Sequence, residues 1–176
     1  MLSPYAAIAG GQFRVRYAAA VPIPQFILDL RAQVGHQPLH LPGVTAVVLD
    51  SQNRVLLVQR ADNSRWTLVT GCLDPGEQPA VGAAREVAEE TAVQVMVDRL
   101  LGVTALPLMT FSNGDQTYWL DVAFRCSPVG GQARVNDDES IDVGWFGLDE
   151  LPDIPDRHRQ AIKDALDPAA PPRFLT

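Results

Sequence analysis

The chain has 176 residues, of which 47% are hydrophobic and 20% are charged. This composition is typical of one globular domain with a single core, and no apolar run approaches the roughly 18 residues of a membrane span. The formal net charge of −7 disfavours broad nucleic-acid binding, because such binding depends on Lys and Arg that neutralise phosphates. We therefore expect neither a membrane nor a nucleic acid as a partner.

The first residues and the cysteines indicate in which cellular compartment the protein is expected. Residues 1–11 lack a basic stretch ahead of an apolar one, so we expect no secretory signal and a cytoplasmic location. Cys72 and Cys126 are the only cysteines, and in that compartment they are expected to be free thiols. Neither belongs to a Cys-x-x-Cys pair, which excludes a zinc ribbon.

The N-terminal part is predicted to hold one helix. Apolar residues at helical spacing indicate a short amphipathic helix within residues 21–35, with Gly35 at its end. This helix would belong to an N-terminal extension over residues 1–40. The role of the extension stays open between a lid, an arm that forms a homodimer and plain packing.

Short apolar runs bounded by turn residues predict a sheet around one central helix. The predicted strands lie at residues 44–49, 54–59, 66–69, 93–97, 100–105, 118–125 and 142–146. The first two strands look like a hairpin, because residues 50–53 between them are turn formers. Pro79 suits the first turn of the central helix, and a second helix is predicted over residues 157–166. We assign residues 41–166 to one domain and the Pro-rich residues 167–176 to a tail.

The spacing of charged residues around the central helix indicates the chemistry. Gly71 is followed by five residues, Glu77, seven residues and then the run Arg85-Glu-Val-Ala-Glu-Glu90. On a helix, Glu86 can share a face with Glu89 and Glu90, and these like charges repel unless a cation lies between them. Hard divalent cations such as Mg²⁺ prefer carboxylate oxygens and also bind substrate phosphates.

This pattern resembles the signature of the Nudix hydrolases (MutT-like), in which the run ends in Glu-Glu, any residue, Gly and an apolar residue. Ala92 stands where the family has Gly. A Gly there would suit a left-handed helix end, where Ala costs about 1 kcal/mol. Val69 and Thr70 also differ, since the commoner family version has Pro-Gly in their place.

The resemblance implies a fold, an activity and a cofactor. The fold would be an α/β/α sandwich with a mixed sheet between helices. The activity would be metal-dependent hydrolysis of a diphosphate bond in a nucleoside diphosphate linked to another group, such as a nucleoside triphosphate, ADP-ribose or a nucleotide sugar. The cofactor would be Mg²⁺ or Mn²⁺, and the partner would be that small molecule.

Matched positions also imply the roles of individual residues. The metal ligands would be Glu86, Glu89, Glu90 and the carbonyl oxygen of Thr70. Arg85 would orient a carboxylate such as Glu77 through its planar guanidinium, and Glu89 is the candidate general base, with Glu90 as an alternative. Glu139, in the acidic run 137–139, is a further candidate metal ligand or general base. The alternative is that this run is a solvated loop without a role in the site. Candidates to stack on a base are Trp66, Phe111, Tyr118 and Trp119, and packing in a core is the alternative for each.

Two other functions stay open. A catalytically weak Nudix-like domain could bind nucleotides as a regulatory module, which Ala92 leaves possible although the charged set is intact. Isomerisation of a prenyl diphosphate uses a Cys and a Glu in relatives; Cys72 lies close to the motif, but no further feature supports that reading. The missing zinc ribbon argues against the Nudix enzymes that act on NADH and NAD-capped RNA.

Overall fold

The computed structural model describes residues 23–111 and 113–174 of the chain, so the predictions for residues 1–11 lie outside the described residues. The helices there are α1 (Gln25–Val34), α2 (Pro79–Thr91) and α3 (Asp156–Leu166). The strands in chain order are β1 (Leu39–Val48), β2 (Val55–Arg60), β3 (Trp66–Thr67), β4 (Val69–Cys72), β5 (Val93–Ala105), β6 (Met109–Thr110), β7 (Gln116–Gly131), β8 (Ser140–Phe146) and β9 (Arg173–Phe174). None of the helices in this part of the chain has the length and hydropathy of a membrane span.

The helix predicted within residues 21–35 is confirmed as α1, and Gly35 follows it with a φ of 61°. Ile27 of α1 is buried. Arg31 donates through Nη2 to the Gln116 carbonyl oxygen at 2.7 Å. The helix is therefore held against the start of β7.

The described strands form two sheets. The larger sheet has the order β4-β1-β7-β5-β9, with β6 also paired to β7, and the smaller sheet has the order β3-β2-β8. In the larger sheet β1 is antiparallel to β4 and parallel to β7. The predicted mixed sheet is therefore confirmed.

Helices cover the two faces of β1. Ala46 belongs to a buried cluster that includes Val87 of α2, whereas Val47 belongs to a second buried cluster that includes Ile162 of α3. Because successive side chains of a strand point to opposite faces, β1 separates the two clusters. This layering confirms the predicted α/β/α sandwich.

The predicted hairpin of residues 44–49 and 54–59 is wrong. The two strands touch at a single bridge between Leu49 and Val55, and β2 then pairs with β3 and β8 in the smaller sheet. The chain changes sheet again at Leu68, which is fully buried and lies between β3 and β4. Turn residues predict a reversal of the chain, but they do not determine which strands pair afterwards.

The predicted strands at residues 93–97 and 100–105 are one long strand, β5. It pairs with β7 through three register irregularities, one of them between Val97 and Arg99. Such bulges leave an extra residue unpaired and bend a strand without ending it. The polar pair Asp98 and Arg99 therefore interrupts the apolar pattern but not the strand.

The end of α2 has the backbone conformation predicted for this position. Ala92 has φ 57° and ψ 14°, in the left-handed region, and its N–H donates to the Ala88 carbonyl oxygen at 3.0 Å.

We expect Ala92→Gly to raise the free energy of unfolding by about 0.5 kcal/mol, because relief of strain exceeds the entropy that Gly adds to the unfolded chain. Urea unfolding measures this change. Ala84→Gly, inside α2, is the matched control and should lose about 1 kcal/mol; a similar loss in Ala92→Gly would contradict the prediction.

A buried histidine makes the stability depend on pH. His158 is 1% exposed, and its Nδ1 accepts the Leu68 N–H at 3.2 Å. Burial, with the Arg157 charge beside it, lowers the pKa of His158 to about 3. The unfolded chain, in which the pKa of His is about 6.5, therefore binds a proton in a range where the folded chain does not.

The folded protein therefore loses stability at this residue as the pH falls below about 6.5. Between about pH 7 and about pH 5 we expect a loss of about 1–2 kcal/mol from His158. His158→Asn should remove this part of the dependence, which urea unfolding at both pH values measures, while His40→Asn at an exposed position should keep it. Equal slopes in His158→Asn and the wild type would contradict the prediction.

Candidate active site

The loop between β4 and α2 is closed by one of the motif carboxylates. The N–H of Glu77 donates to the Asp74 carbonyl oxygen at 2.9 Å, and the Asp74 N–H donates to Glu77 Oε2 at 3.1 Å. Gly76 between them has a φ of 84°, which favours glycine. Pro79 then starts the helix. The side chain of Glu77 is thus fixed before it meets α2.

Arg85 joins three of the motif carboxylates. Its Nε and Nη2 donate to the two oxygens of Glu77 at 2.8 Å each, and its Nη1 donates to Glu86 Oε1 and Glu89 Oε2 at 2.9 Å each. Nη2 also donates to the Cys72 carbonyl oxygen at 3.1 Å. The hydrogen bonds from Arg85 lower the pKa of Glu77 below its ordinary value. This geometry fits an orienting role for Arg85.

The first glycine of the motif makes room for a carboxylate. A Cβ on Gly71 would overlap the carboxyl group of Glu86, so only a glycine allows this approach. The Glu86 side chain is 14% exposed. Burial raises its pKa to about 7, although Arg85 beside it acts in the opposite direction.

Glu90 lies deepest among the acidic residues of the motif. It is 5% exposed, and its pKa is raised well above the ordinary value by burial and by the charges of Glu86, Asp137 and Glu139. Burial also raises the pKa of Glu139 and of Asp137. The acidic run before β8 is therefore next to the motif, as the prediction for Glu139 requires.

An open cleft of about 290 Å³ is lined by Glu89, Asn136, Asp137 and Glu139. Within the described residues, no three His, Cys, Asp or Glu side chains converge as the ligands of one metal ion would. Glu86 and Glu89 instead accept hydrogen bonds from Arg85. The donors are nevertheless of the kind that suits Mg²⁺, which binds through one or two carboxylates, waters and substrate phosphates rather than in an all-protein cage. Thr70 lies directly before Gly71, on β4, and pairs with Thr45. The donor set therefore fits the metal, and the ligand assignments stay predictions.

Three of the four aromatic residues predicted to stack on a base lie in different places. Trp66 packs edge-to-face on Phe146, with 4.8 Å between ring centroids, next to the α3 cluster. Phe111 is exposed after β6, and Tyr118 stacks on His40 at 5.0 Å. The structure does not bring these residues together.

Trp119 is the aromatic residue beside the motif backbone. A Cβ on Gly43 would lie 2.9 Å from Cε3 of the Trp119 ring and 3.3 Å from the Gly71 carbonyl oxygen. The indole thus lies over Gly43 of β1, the strand that pairs with β4. Trp119 and Tyr118 are adjacent on β7 and point to opposite faces of the sheet.

The sequence prediction missed two residues of the cleft. Asp137 has one signal, its membership of the acidic run 137–139, but Glu139 alone was predicted to have a role there. Asn136 has no signal, because a single amide in a loop is common and its partners are distant in the chain.

Comparison with known proteins identifies the family. The family model described as NUDIX domain matches residues 39–165. A MutT-like protein of Streptomyces ambofaciens is 38% identical over 135 residues, which are 76% of this chain and 82% of that relative. A putative 8-oxo-dGTP diphosphatase of Bacillus subtilis (strain 168) is 30% identical over 124 residues, which are 69% of this chain and 78% of that relative.

The crystal structure of a MutT NUDIX hydrolase from Burkholderia pseudomallei has a TM-score of 0.58 and 26% identity, and the match covers 72% of this chain and 98% of that one. The matched range of the family model includes the whole segment from Gly71 to Glu90. The resemblance inferred from the spacing of these residues is confirmed, and the chain belongs to the Nudix hydrolase family.

Proposed function

We propose that the protein hydrolyses the diphosphate bond of a nucleoside diphosphate derivative with Mg²⁺ or Mn²⁺ as cofactor. The observation that carries this proposal is that Glu90 is 5% exposed near other acidic groups: burial raises its pKa most, and the charges of Glu86, Asp137 and Glu139 raise it further. Such a concentration of negative charge is relieved when a cation binds, and the cation then offers positive charge to a phosphate. The metal would also help to activate the attacking water.

Residues of the chain would bind the metal, accept the proton and hold the carboxylates in place. Glu86, Glu89, Glu90, Glu139 and the carbonyl oxygen of Thr70 would hold the metal. Glu89 is also the candidate base, because its side chain is 55% exposed and Arg85 bonds to one of its oxygens, which leaves the other free to accept a proton. Arg85 and Glu77 would keep the carboxylates in place.

The nucleoside end of the substrate would lie against Trp119, whose ring approaches Gly43 on β1, the strand that pairs with β4 at Gly71. Base stacking on an aromatic ring contributes about 1–3 kcal/mol, so we expect Trp119→Ala to raise KM by about 5–100-fold, with a smaller change in kcat. Phe111→Ala, at an exposed position after β6, is the control and should leave KM unchanged. Steady-state kinetics on one substrate measure both values, and the reverse result would contradict this placement.

The experiment that tests the function is a substrate panel with purified protein. Ordinary and oxidised deoxynucleoside triphosphates belong on it, since a relative bears the name 8-oxo-dGTP diphosphatase, as do ADP-ribose and nucleotide sugars. We expect release of a nucleoside monophosphate with Mg²⁺ or Mn²⁺ and none with a chelator. Turnover that survives the chelator would contradict the proposal, and tight ADP-ribose binding without turnover would favour the regulatory module. A cytoplasmic location and a homodimer stay predictions from the sequence.

A further inference from the structure

The last carbonyl groups of α2 are capped by a distant loop. A helix leaves its last four carbonyl groups without partners inside the helix. Here the N–H of Arg134 donates to the Thr91 carbonyl oxygen at 3.0 Å, and the N–H of Asn136 donates to the Glu90 carbonyl oxygen at 3.2 Å. The loop over residues 132–139, between β7 and β8, therefore runs along the end of the helix.

The Asn136 side chain makes the other contacts of this cap. Its Nδ2 donates to the carbonyl oxygens of Ala88 and Glu89, at 3.2 and 3.1 Å. Its Oδ1 accepts from Arg134 Nη2 at 3.2 Å. The amide thus bonds to the backbone of a motif residue and to the loop at the same time.

The residues after Asn136 are fixed relative to it. Asp137 Oδ1 accepts the N–H groups of Glu139 and Ser140, at 3.0 and 3.3 Å. The N–H of Ala61 donates to the Glu139 carbonyl oxygen at 2.8 Å. Asp137 and Glu139 are therefore held as one turn, which directly follows Asn136 and is anchored to Ala61 at its other end.

The acidic side chains of this turn lie close to the acidic side chains of α2, and their charges repel each other. Asp137 and Glu139 line the cleft with Glu89, and their charges act on the buried Glu90. Without a cation these like charges repel, and at Glu90 the Arg60 charge opposes them more weakly than Glu86, Asp137 and Glu139 act, so contacts with α2 are needed to hold the turn. Asn136 supplies such a contact, because its amide donates to the helix end beside Glu89.

We propose that Asn136 is a positioning residue that holds Asp137 and Glu139 against Glu89 and Glu90 and thereby completes the cation-binding cleft. This inference rests on the proposed function, since it assumes a divalent cation in the cleft. Removal of a group that orients metal ligands lowers metal affinity by about 10–100-fold. The same range is expected here, because the turn carries two of the acidic residues.

The test measures the affinity of the full chain for Mn²⁺. The electron paramagnetic resonance signal of the free ion reports how much Mn²⁺ stays unbound. The variants are Asn136→Ala and the milder Asn136→Ser; both keep the main-chain bond to Glu90. Asn113→Ala is the matched control, since the Asn113 amide bonds to Asp115 in the turn before β7. Mn²⁺ affinity should fall by about 10–100-fold in both Asn136 variants and stay at the wild-type value in the control.

A second readout separates positioning from simple helix capping. The metal concentration for half-maximal turnover should rise in the Asn136 variants, while kcat at saturating metal stays within a few-fold of the wild type. Lower thermal stability with unchanged Mn²⁺ affinity would overturn the inference and leave the proposed function intact. A wild-type protein that binds no Mn²⁺ would instead overturn the proposed function and this inference together.

Discussion

Glu89→Gln is expected to lower kcat by about 10²–10⁴-fold at saturating Mg²⁺, the range for loss of a positioned proton acceptor. Glu89 is the most exposed of the three carboxylates that Arg85 contacts, and it lines the cleft with Asp137 and Glu139. Gln keeps the size and the hydrogen bond to Arg85 but cannot accept a proton. The measurement is the steady-state rate at increasing metal concentration, so that weaker metal binding is separated from loss of the base.

The control for this prediction is Glu150→Gln, at an exposed position after β8, which should keep the wild-type kcat. Glu90→Gln is a second variant to compare with Glu89→Gln, because Glu90 is buried and its predicted role is to bind the metal. It should raise the metal requirement more than Glu89→Gln does. Full metal-dependent turnover in both Glu89→Gln and Glu90→Gln would remove the basis of the proposed mechanism.

Arg85→Ala is expected to lower the free energy of unfolding by about 2–4 kcal/mol near pH 8, somewhat less than the loss of one partner from a fully buried ion pair. The side chains of Glu77 and Glu86 are 11% and 14% exposed, and both lose their cation in this variant. Because Arg85 lowers the pKa of Glu77, the stability from that pair is present above the unfolded pKa and is lost as Glu77 protonates in acid. The penalty of Arg85→Ala should therefore shrink at about pH 4, which urea unfolding at both pH values measures.

Two further variants show whether the pair with Glu77 causes this effect. Arg85→Lys keeps the charge but not the planar fork, so it should be intermediate in stability. In the double variant Arg85→Ala/Glu77→Gln the unpaired carboxylate is gone, and the stability should be higher than in Arg85→Ala alone. Strictly additive losses from the two substitutions would show that the residues are not coupled.

The part of the site that lies within one helix and one loop could be predicted from the sequence. Glu86, Glu89 and Glu90 are brought together by helical spacing, which is local, and the family spacing adds Glu77 and Arg85. The left-handed conformation at Ala92 could also be anticipated, because it depends on the end of a single helix. Local geometry depends on few neighbours, so one sequence is enough to infer it.

The pairing of strands could not be predicted in the same way. Residues 44–49 and 54–59 have the pattern of a hairpin, yet β1 and β2 belong to different sheets. The pattern shows which side chains are buried, whereas the partner of each strand depends on how all the layers pack. For the same reason the apolar pattern predicts a strand end before Asp98, although β5 continues through a bulge there.

The sequence by itself determined the motif and the family, because these depend on spacing along the chain, and the resemblance to that family implied the layers of the fold. Only the tertiary structure decided which distant residues meet the motif. Asn136 and Asp137 reach α2 through a loop nearly 50 positions further on. Trp119 lies over Gly43, whose strand pairs with that of Gly71, whereas Trp66 packs on Phe146. Those contacts follow from strand register and loop path, which the packing of the whole domain sets.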